Sequence, residues 1–386
     1  MKTPVGLVTA ALAVATLLAA SFLIATGTRG QAQPFGSSAG ELEVRTVARG
    51  LANPWALAFL PDGPMVVTER PGRMRIVTSE GQVSPPLKGV PDVWASGQGG
   101  LLDVAADKAF AQNRTIYFCF AERAEGGGRT AVARARLDDG KAGLDEVKII
   151  FRQQGPLSSG NHYGCRIAQA EDGNLFVTLG EHFSARDLAQ GLGNHLGKVI
   201  RIAPDGSVPA GNPFAGRADA KPEIWSYGHR NPQSLAFHPT TGELWEIEHG
   251  PRGGDEVNLI GKGKNYGWPV IGFGIDYSGA KIHDATAKAG MEQPLKYWVP
   301  SIAPSGMAFY TGKLFPKWDG SLFLGALSGA MLVRLTLNGN MVTAEERLLQ
   351  NLNERIRDVR HGPDGALWLL TDSSNGRVLR VAPAAK

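Results

Sequence analysis

The chain has 386 residues, with 40 basic side chains against 36 acidic ones and a formal charge of +4. So small an excess, with no Lys/Arg cluster, builds no field for nucleic acid, and 43% hydrophobic with 20% charged residues excludes a disordered chain. Fifty glycines and 24 prolines exclude long helices and predict many tight turns, so the expectation is a turn-rich, all-β protein.

In chain order, Lys2 precedes an uncharged, mostly apolar run over residues 5–25, followed by Arg29 and the small-residue stretch Gly30-Gln31-Ala32. This pattern predicts an export signal over residues 1–32, cleaved near Ala32, and so a periplasmic or secreted protein. The run is also long enough for an uncleaved membrane anchor. With the signal cleaved no membrane span remains, because no later stretch offers the roughly 18 apolar residues a spanning helix needs. Residues 33–40 read as a linker. Their Gly36-Ser37-Ser38-Ala39-Gly40 matches Gly-x-Ser-x-Gly but lacks the strand and helix of a nucleophile elbow.

From residue 41 to 386 one phrase recurs: an apolar run, then Pro-Asp-Gly or an equivalent, then another apolar run. It spans residues 55–77, 166–202, 235–248 and 358–381, with weaker copies starting at residues 99 and 305. The Asp-Gly supplies a hairpin turn, since Gly accepts positive φ and Asp bonds locally to the backbone. Six copies roughly 45 to 75 residues apart predict a single six-bladed β-propeller domain rather than a solenoid, whose repeats are shorter and more even. Residues 41–48 are placed to add a strand to the last blade and close the ring. The insertions at 181–194 and 262–300 become loops on one face, where a site is built.

Cys119 and Cys165 both lie in strand-like runs; a disulfide between neighbouring strands and two buried thiols fit the letters equally. There is no phosphate loop, His-Glu-x-x-His or Cys-x-x-Cys. What stands out are polar segments between blades: Ser159-Gly160-Asn161-His162, Tyr227-Gly228-His229-Arg230-Asn231-Pro232-Gln233, residues 248–258 with their carboxylates, Gly and Pro, and Glu354-Arg355-Ile356-Arg357-Asp358. Each has a plain reading as a solvated turn. The functional reading is a base at His162, hard-cation oxygens in 248–258 and an anion site at Arg355 and Arg357, which alternation puts on one strand face.

These segments, together with Asn53-Pro54-Trp55, Gly97-Gln98-Gly99-Gly100-Leu101-Leu102, Asn265-Tyr266-Gly267-Trp268-Pro269 and Pro300-Ser301-Ile302-Ala303-Pro304-Ser305-Gly306, make the chain resemble the soluble aldose sugar dehydrogenases dependent on pyrroloquinoline quinone (PQQ), of the glucose/sorbosone dehydrogenase family. The likeness runs from about residue 51 to 381. It implies a six-bladed propeller that oxidises the anomeric C1 hydroxyl of an aldose to a lactone, passing hydride to PQQ held with Ca2+; the eventual electron acceptor is not legible. By the resemblance, His162 is the general base and Arg230 polarises the quinone. Gln98, Arg230, Asn231, Ser328, Arg355 and Arg357 stand at cofactor positions. The carbonyls of Gly250 and Pro251 match ligands of the cofactor calcium, and Glu256 with the Tyr266 carbonyl matches a second calcium position. Two departures follow: Ser328 replaces a family lysine, and Cys165 stands where Gly is commoner. A calcium-dependent lactonase on the same ring and a non-catalytic binding propeller are the competing readings.

Overall fold

The Pro-Asp-Gly turns do close hairpins. Gly63, Gly173 and Gly365 sit at φ of 106°, 83° and 78°, conformations that cost a residue with a Cβ but not glycine. The structure is a computed structural model and describes Met1, residues 33–155, Leu157 and residues 159–385. Met1 aside, the export segment expected at 1–32 lies outside the described residues.

Among the described residues the strands form six sheets. Blade one is Pro54–Phe59, Met65–Glu69 and Arg73–Val77. Blade two is Leu101–Ala106, Thr115–Ala124, Gly127–Leu137 and Leu144–Arg152. Blade three is Gly164–Gln169, Leu175–Leu179, Lys198–Ile202 and Ile224–Tyr227. Blade four is Pro232–Phe237, Leu244–Glu248, Asp255–Ile260 and Lys296–Trp298. Blade five is Pro304–Phe309, Leu322–Ala326, Met331–Asn338 and Met341–Leu348. Blade six is Ile356–His361, Leu367–Thr371 and Gly376–Pro383, completed by Gly40–Leu51 and Gln33–Ser37. The first strands of successive blades touch in a closed cycle from blade one round to blade six and back, which makes the ring a six-bladed propeller. Because each blade packs face to face on its neighbours, the second strands of blades one, three, four, five and six are buried on both faces. No helix among the described residues is long and apolar enough to cross a membrane.

Ring closure uses the segment expected for it: Gly40–Leu51 runs antiparallel to Gly376–Pro383, with Val44 opposite Val381. Residues 33–40 differ from the expected linker. Gln33–Ser37 is hydrogen-bonded to the closing strand, Phe35 is buried, and Gly40 turns the hairpin at φ 116°. Ser38, the centre of the Gly-x-Ser-x-Gly match, is a turn residue whose amide and Oγ donate to Glu346 at 2.6 and 2.7 Å.

Every blade's first strand carries a register shift near its start, at Pro54/Ala56, Leu101/Val104, Gly164/Ile167, Pro232/Ser234, Pro304/Met307 and Ile356/Asp358. An extra residue there bends the strand and re-aims what precedes it. Below the bulges, acids and arginines fill the channel. Arg166, 1% exposed, bonds Asp103 at 2.9 Å and Asp358 at 3.0 Å and donates from Nε to the Gln233 carbonyl at 2.7 Å. Arg360 bonds the same two acids at 3.1 and 3.0 Å. Asp103 Oδ2 accepts the Ile167 amide at 2.8 Å, and Asp358 Oδ2, the oxygen that Arg360 bonds, also accepts the Leu57 amide at 3.1 Å. Two carboxylates thus meet two guanidiniums with the backbone bonded in, as a buried charge cluster requires.

Cys119 and Cys165 are bridged, with Cα atoms 5.9 Å apart, tying blade two to the first strand of blade three.

Two stability measurements check this frame. Replacing both cysteines by Ala should lower the unfolding free energy by about 3 to 4 kcal/mol, because the bridge removes loop entropy over a separation of 46 residues. Asp103→Ala should cost about 3–5 kcal/mol, seen as an earlier denaturant midpoint, because two arginines are left with one carboxylate.

Candidate functional site

The segments that precede the first strands converge on one end of the channel. His162 stands just before blade three at φ 54°, a left-handed conformation that points to functional strain. Its amide donates to Gln98 Oε1 at 2.9 Å and its Nδ1 lies 2.9 Å from Glu181 Oε2. Glu181 follows the second strand of blade three through Gly180, where a Cβ would lie 2.0 Å from the His162 carbonyl, so only glycine lets the two segments close. Glu181 Oε2 also accepts the Phe183 amide, and the Phe183 ring meets the imidazole edge-on at 5.2 Å. With the carboxylate accepting from Nδ1–H, Nε2 keeps its lone pair. Burial, then the Arg230 charge, pull the His162 pKa below its ordinary value against the opposing pull of Glu181, so the ring is neutral at pH 7.

Arg230 is 3% exposed. Its amide donates to Glu248 Oε2 at 2.5 Å, and Nη1 donates to the carbonyls of His249 and Gly250 at 3.0 and 2.7 Å. The guanidinium lies 5.3 Å over Trp268, and Nη2 is 3.5 Å from the Tyr277 hydroxyl. Phe183 and Tyr277, each about half exposed, stack 6.4 Å apart beside it and join the two expected loops, 181–194 and 262–300, at the mouth of the site.

Between these groups and blade six is a cavity of about 360 Å3, lined by Trp55, Arg70, Gln98, Tyr163, Asn231, Gln233, His249, Leu327, Arg355, Arg357 and Asp372 among others. Asn231 is fixed by the Gly164 amide at 3.2 Å and Gln233 Nε2 at 3.1 Å. Asp372 Oδ2 accepts from Arg355 at 2.8 Å and Arg357 at 3.4 Å. Burial lowers the Arg357 pKa to about 10, and its Nε is buried without a partner. Burial, then Arg357 and Arg230, depress the His249 pKa to about 3, so this imidazole adds no charge. Ser328 is not brought in: its amide and that of Gly329 both bond the Ile302 carbonyl at 3.1 Å, and the residue is exposed while Leu327 stands at the wall.

The four expected metal residues do share a space, a small cavity of about 20 Å3 lined by Gly250, Pro251, Glu256 and Tyr266 with Glu248 and Gly254. That is room for one ion or water. Glu256 belongs to a buried acid cluster with Glu246 and Glu248, and Asn258 Nδ2 donates to all three at 3.1 to 3.3 Å. Burial, then the Glu248 charge, push the Glu246 and Glu256 carboxyls well above the usual range. Glu246 Oε1 and Asn258 Oδ1 are buried without partners. Oxygens gathered in this way suit a hard cation. His229, whose ring stacks 4.6 Å from Tyr266, joins Glu246 and Glu248 with ligand atoms all within 4.8 Å of one another.

The residues that sequence reasoning missed are Glu181, Asp372, Arg70 and Glu246. The repeat carried a signal for two of them: the second strands of blades one, three, four and six each run into an acid, Glu69, Glu181, Glu248 and Asp372, at the end of the ring where the site lies.

A family model described as glucose / sorbosone dehydrogenase matches residues 51–380. The chain is 47% identical over 346 residues to aldose sugar dehydrogenase YliI of Escherichia coli strain K12, covering 89% of this chain and 93% of that one. The apo-form crystal structure of the soluble aldose sugar dehydrogenase of Escherichia coli matches with a TM-score of 0.86 at 47% identity, over 89% of this chain and 100% of that chain. The PQQ-bound aldose sugar dehydrogenase of Streptomyces coelicolor matches with a TM-score of 0.73 at 30% identity, over 90% of this chain and 100% of that chain. With nearly the whole propeller matched in sequence and in fold, the chain belongs to the glucose/sorbosone dehydrogenase family.

Proposed function

We propose that the protein oxidises aldose sugars at the anomeric C1 hydroxyl to lactones, with PQQ in the larger cavity as hydride acceptor and calcium in the smaller one. The observation that carries this reading is His162: a buried, neutral imidazole, oriented through Nδ1 by Glu181, with Nε2 free of protein partners among the described residues and Arg230 beside it. The cavity residues fit a flat polyanion. Arg70, Arg355 and Arg357 face one carboxylate, Asp372, and the Arg357 Nε lacks a partner. Arg355 and Arg357 would hold its carboxylates, Gln98 and Asn231 its edge, and Arg230 a carbonyl. The smaller cavity has room for one calcium, so the oxygens of Gly250 and Pro251, Glu256 and the Tyr266 carbonyl would serve one ion there rather than the two positions that the resemblance implies.

When bound, the quinone supplies a two-electron acceptor for the C1 hydride. Everything else falls to the chain. His162 Nε2 takes the proton of the C1 hydroxyl, and Glu181 steadies the imidazolium that forms. Arg230, held by two carbonyls, offers a fixed positive charge with no proton to lose. Phe183 and Tyr277 narrow the mouth and limit water.

The lactonase reading needs unpaired carboxylates at the central channel, and Asp103 and Asp358 there are both neutralised by Arg166 and Arg360. A purely binding propeller does not account for the oriented histidine. Action outside the cytoplasm is supported by the Cys119–Cys165 bridge, which persists in oxidising compartments.

Dye reduction with an aldose panel, after loading with PQQ and calcium, tests the reaction, and a complete lack of turnover overturns the reading. His162→Ala should reduce turnover at least about 100-fold. The acid limb of kcat/KM should lie below about pH 6.5. Glu181→Gln removes the group that raises the His162 pKa, so it should shift that limb to lower pH while cutting kcat; an unmoved limb means that Glu181 does not act through His162. Excess chelator should release bound quinone into an ultrafiltrate, and equal retention with and without chelator rules out the calcium bridge.

A further inference from the structure

One of the cations that line the larger cavity does not come from blade six. Arg355 and Arg357 come from blade six, but Arg70 comes from blade one, directly after the strand Met65–Glu69. Its backbone is pinned on both sides: its amide donates to the Asn53 carbonyl and its carbonyl accepts the Leu101 amide, each at 3.0 Å. Its side chain passes over Gly100, where a Cβ would come within 2.4 Å of Arg70 Cγ. Nη1 then donates to the Gly97 carbonyl at 2.6 Å, next to Gln98, which holds the His162 amide. Among the described residues Nε and Nη2 have no hydrogen-bond acceptor, so those donors remain for a ligand. Its charge also reaches across to Asp372. On the blade-five side, Ser328 is exposed and does not line the cavity.

We propose that Arg70 is a third anchor for the anionic cofactor, adding from blade one a positive charge to those of Arg355 and Arg357 in blade six. The inference rests on the PQQ reading above. Its chemistry is that of a carboxylate ligand, because a guanidinium fixed through one nitrogen still presents two donors in a plane.

The test is a direct binding titration of the apo protein with PQQ in saturating calcium, read by quenching of tryptophan fluorescence, since Trp55 lines the cavity. Arg70→Gln should weaken binding about tenfold and flatten its dependence on salt. Arg70→Lys keeps the charge but not the planar pair of donors, so its affinity should fall between those of the wild type and Arg70→Gln. Thermal melts of each apo variant separate lost binding from lost fold. Equal affinities for the wild type and a folded Arg70→Gln variant overturn the proposal. So does an Arg70→Lys variant as weak as Arg70→Gln, because the residue would then act only through its bond to Gly97. A wild type that binds no PQQ at all removes the cofactor reading, and this anchor with it.

Discussion

The propeller depends on how its channel is filled. Six first strands brought together at an axis present backbone and side chains to a shared space, and in this chain two aspartates and two arginines occupy it. Charges so buried persist only when each is paired and hydrogen-bonded. Asp103 belongs to blade two, Arg166 to blade three, and Asp358 and Arg360 to blade six; the backbone groups of Leu57 and Gln233 bring in blades one and four. Blade five joins through neutral bonds, the Met307 amide to Ser234 Oγ at 2.9 Å and Ser305 Oγ to the Ile356 carbonyl at 2.6 Å. The network fixes the rotation of each blade, and with it the distances between groups from different blades at the site above. Because its charges cancel, the cation excess of the overlying cavity stays available to a ligand.

The chemistry at that end is built by opposition across blades. Glu181 and His162 meet within blade three, Arg230 is locked by Glu248 and Gly250 of blade four, and the arginines of blade six share one aspartate. Hence the environment can hold a neutral base and a permanent cation side by side. Burial and Arg230 keep the proton off His162, while Glu181 prevents the ring from becoming so weak a base that it would not take one. In blade four, cross-strand register puts Glu246 opposite Asn258 and Glu248 opposite Glu256, so the acid cluster follows from strand pairing and not from a loop.

Much of this was legible in the letters for a definite reason. Hairpin turns need Gly and Asp, so blades announce themselves at regular intervals, and segments such as 227–233 are too rich in donors for mere connectors. Less legible was anything decided by pairing between distant segments. Phe35 and the hairpin of residues 33–40 look like a linker because Gly36, Ser37, Ser38 and Gly40 are turn residues; only the partner strand makes them β. Cys119 and Cys165 lie on different blades, and letters do not give their 5.9 Å separation. Ser328 resembles a cofactor position yet does not line the cavity, since the place of a loop residue is set by backbone bonds such as that to Ile302. Arg70 sits in an ordinary hairpin and gains meaning only from the cavity that it reaches.

Closure of the ring by Gly40–Leu51 against Gly376–Pro383 also orders events during biosynthesis. Blades one to five use strands that are neighbours in the chain, so each can pair as soon as it emerges. Blade six must wait, because its outer strands are made first and its inner ones last. Arg355, Arg357, Asp358 and Asp372 all come from that last stretch, so the wall of the larger cavity and half of the channel network arrive together. A nascent chain therefore lacks the larger cavity, which comes into being only when Gly40–Leu51 meets Gly376–Pro383.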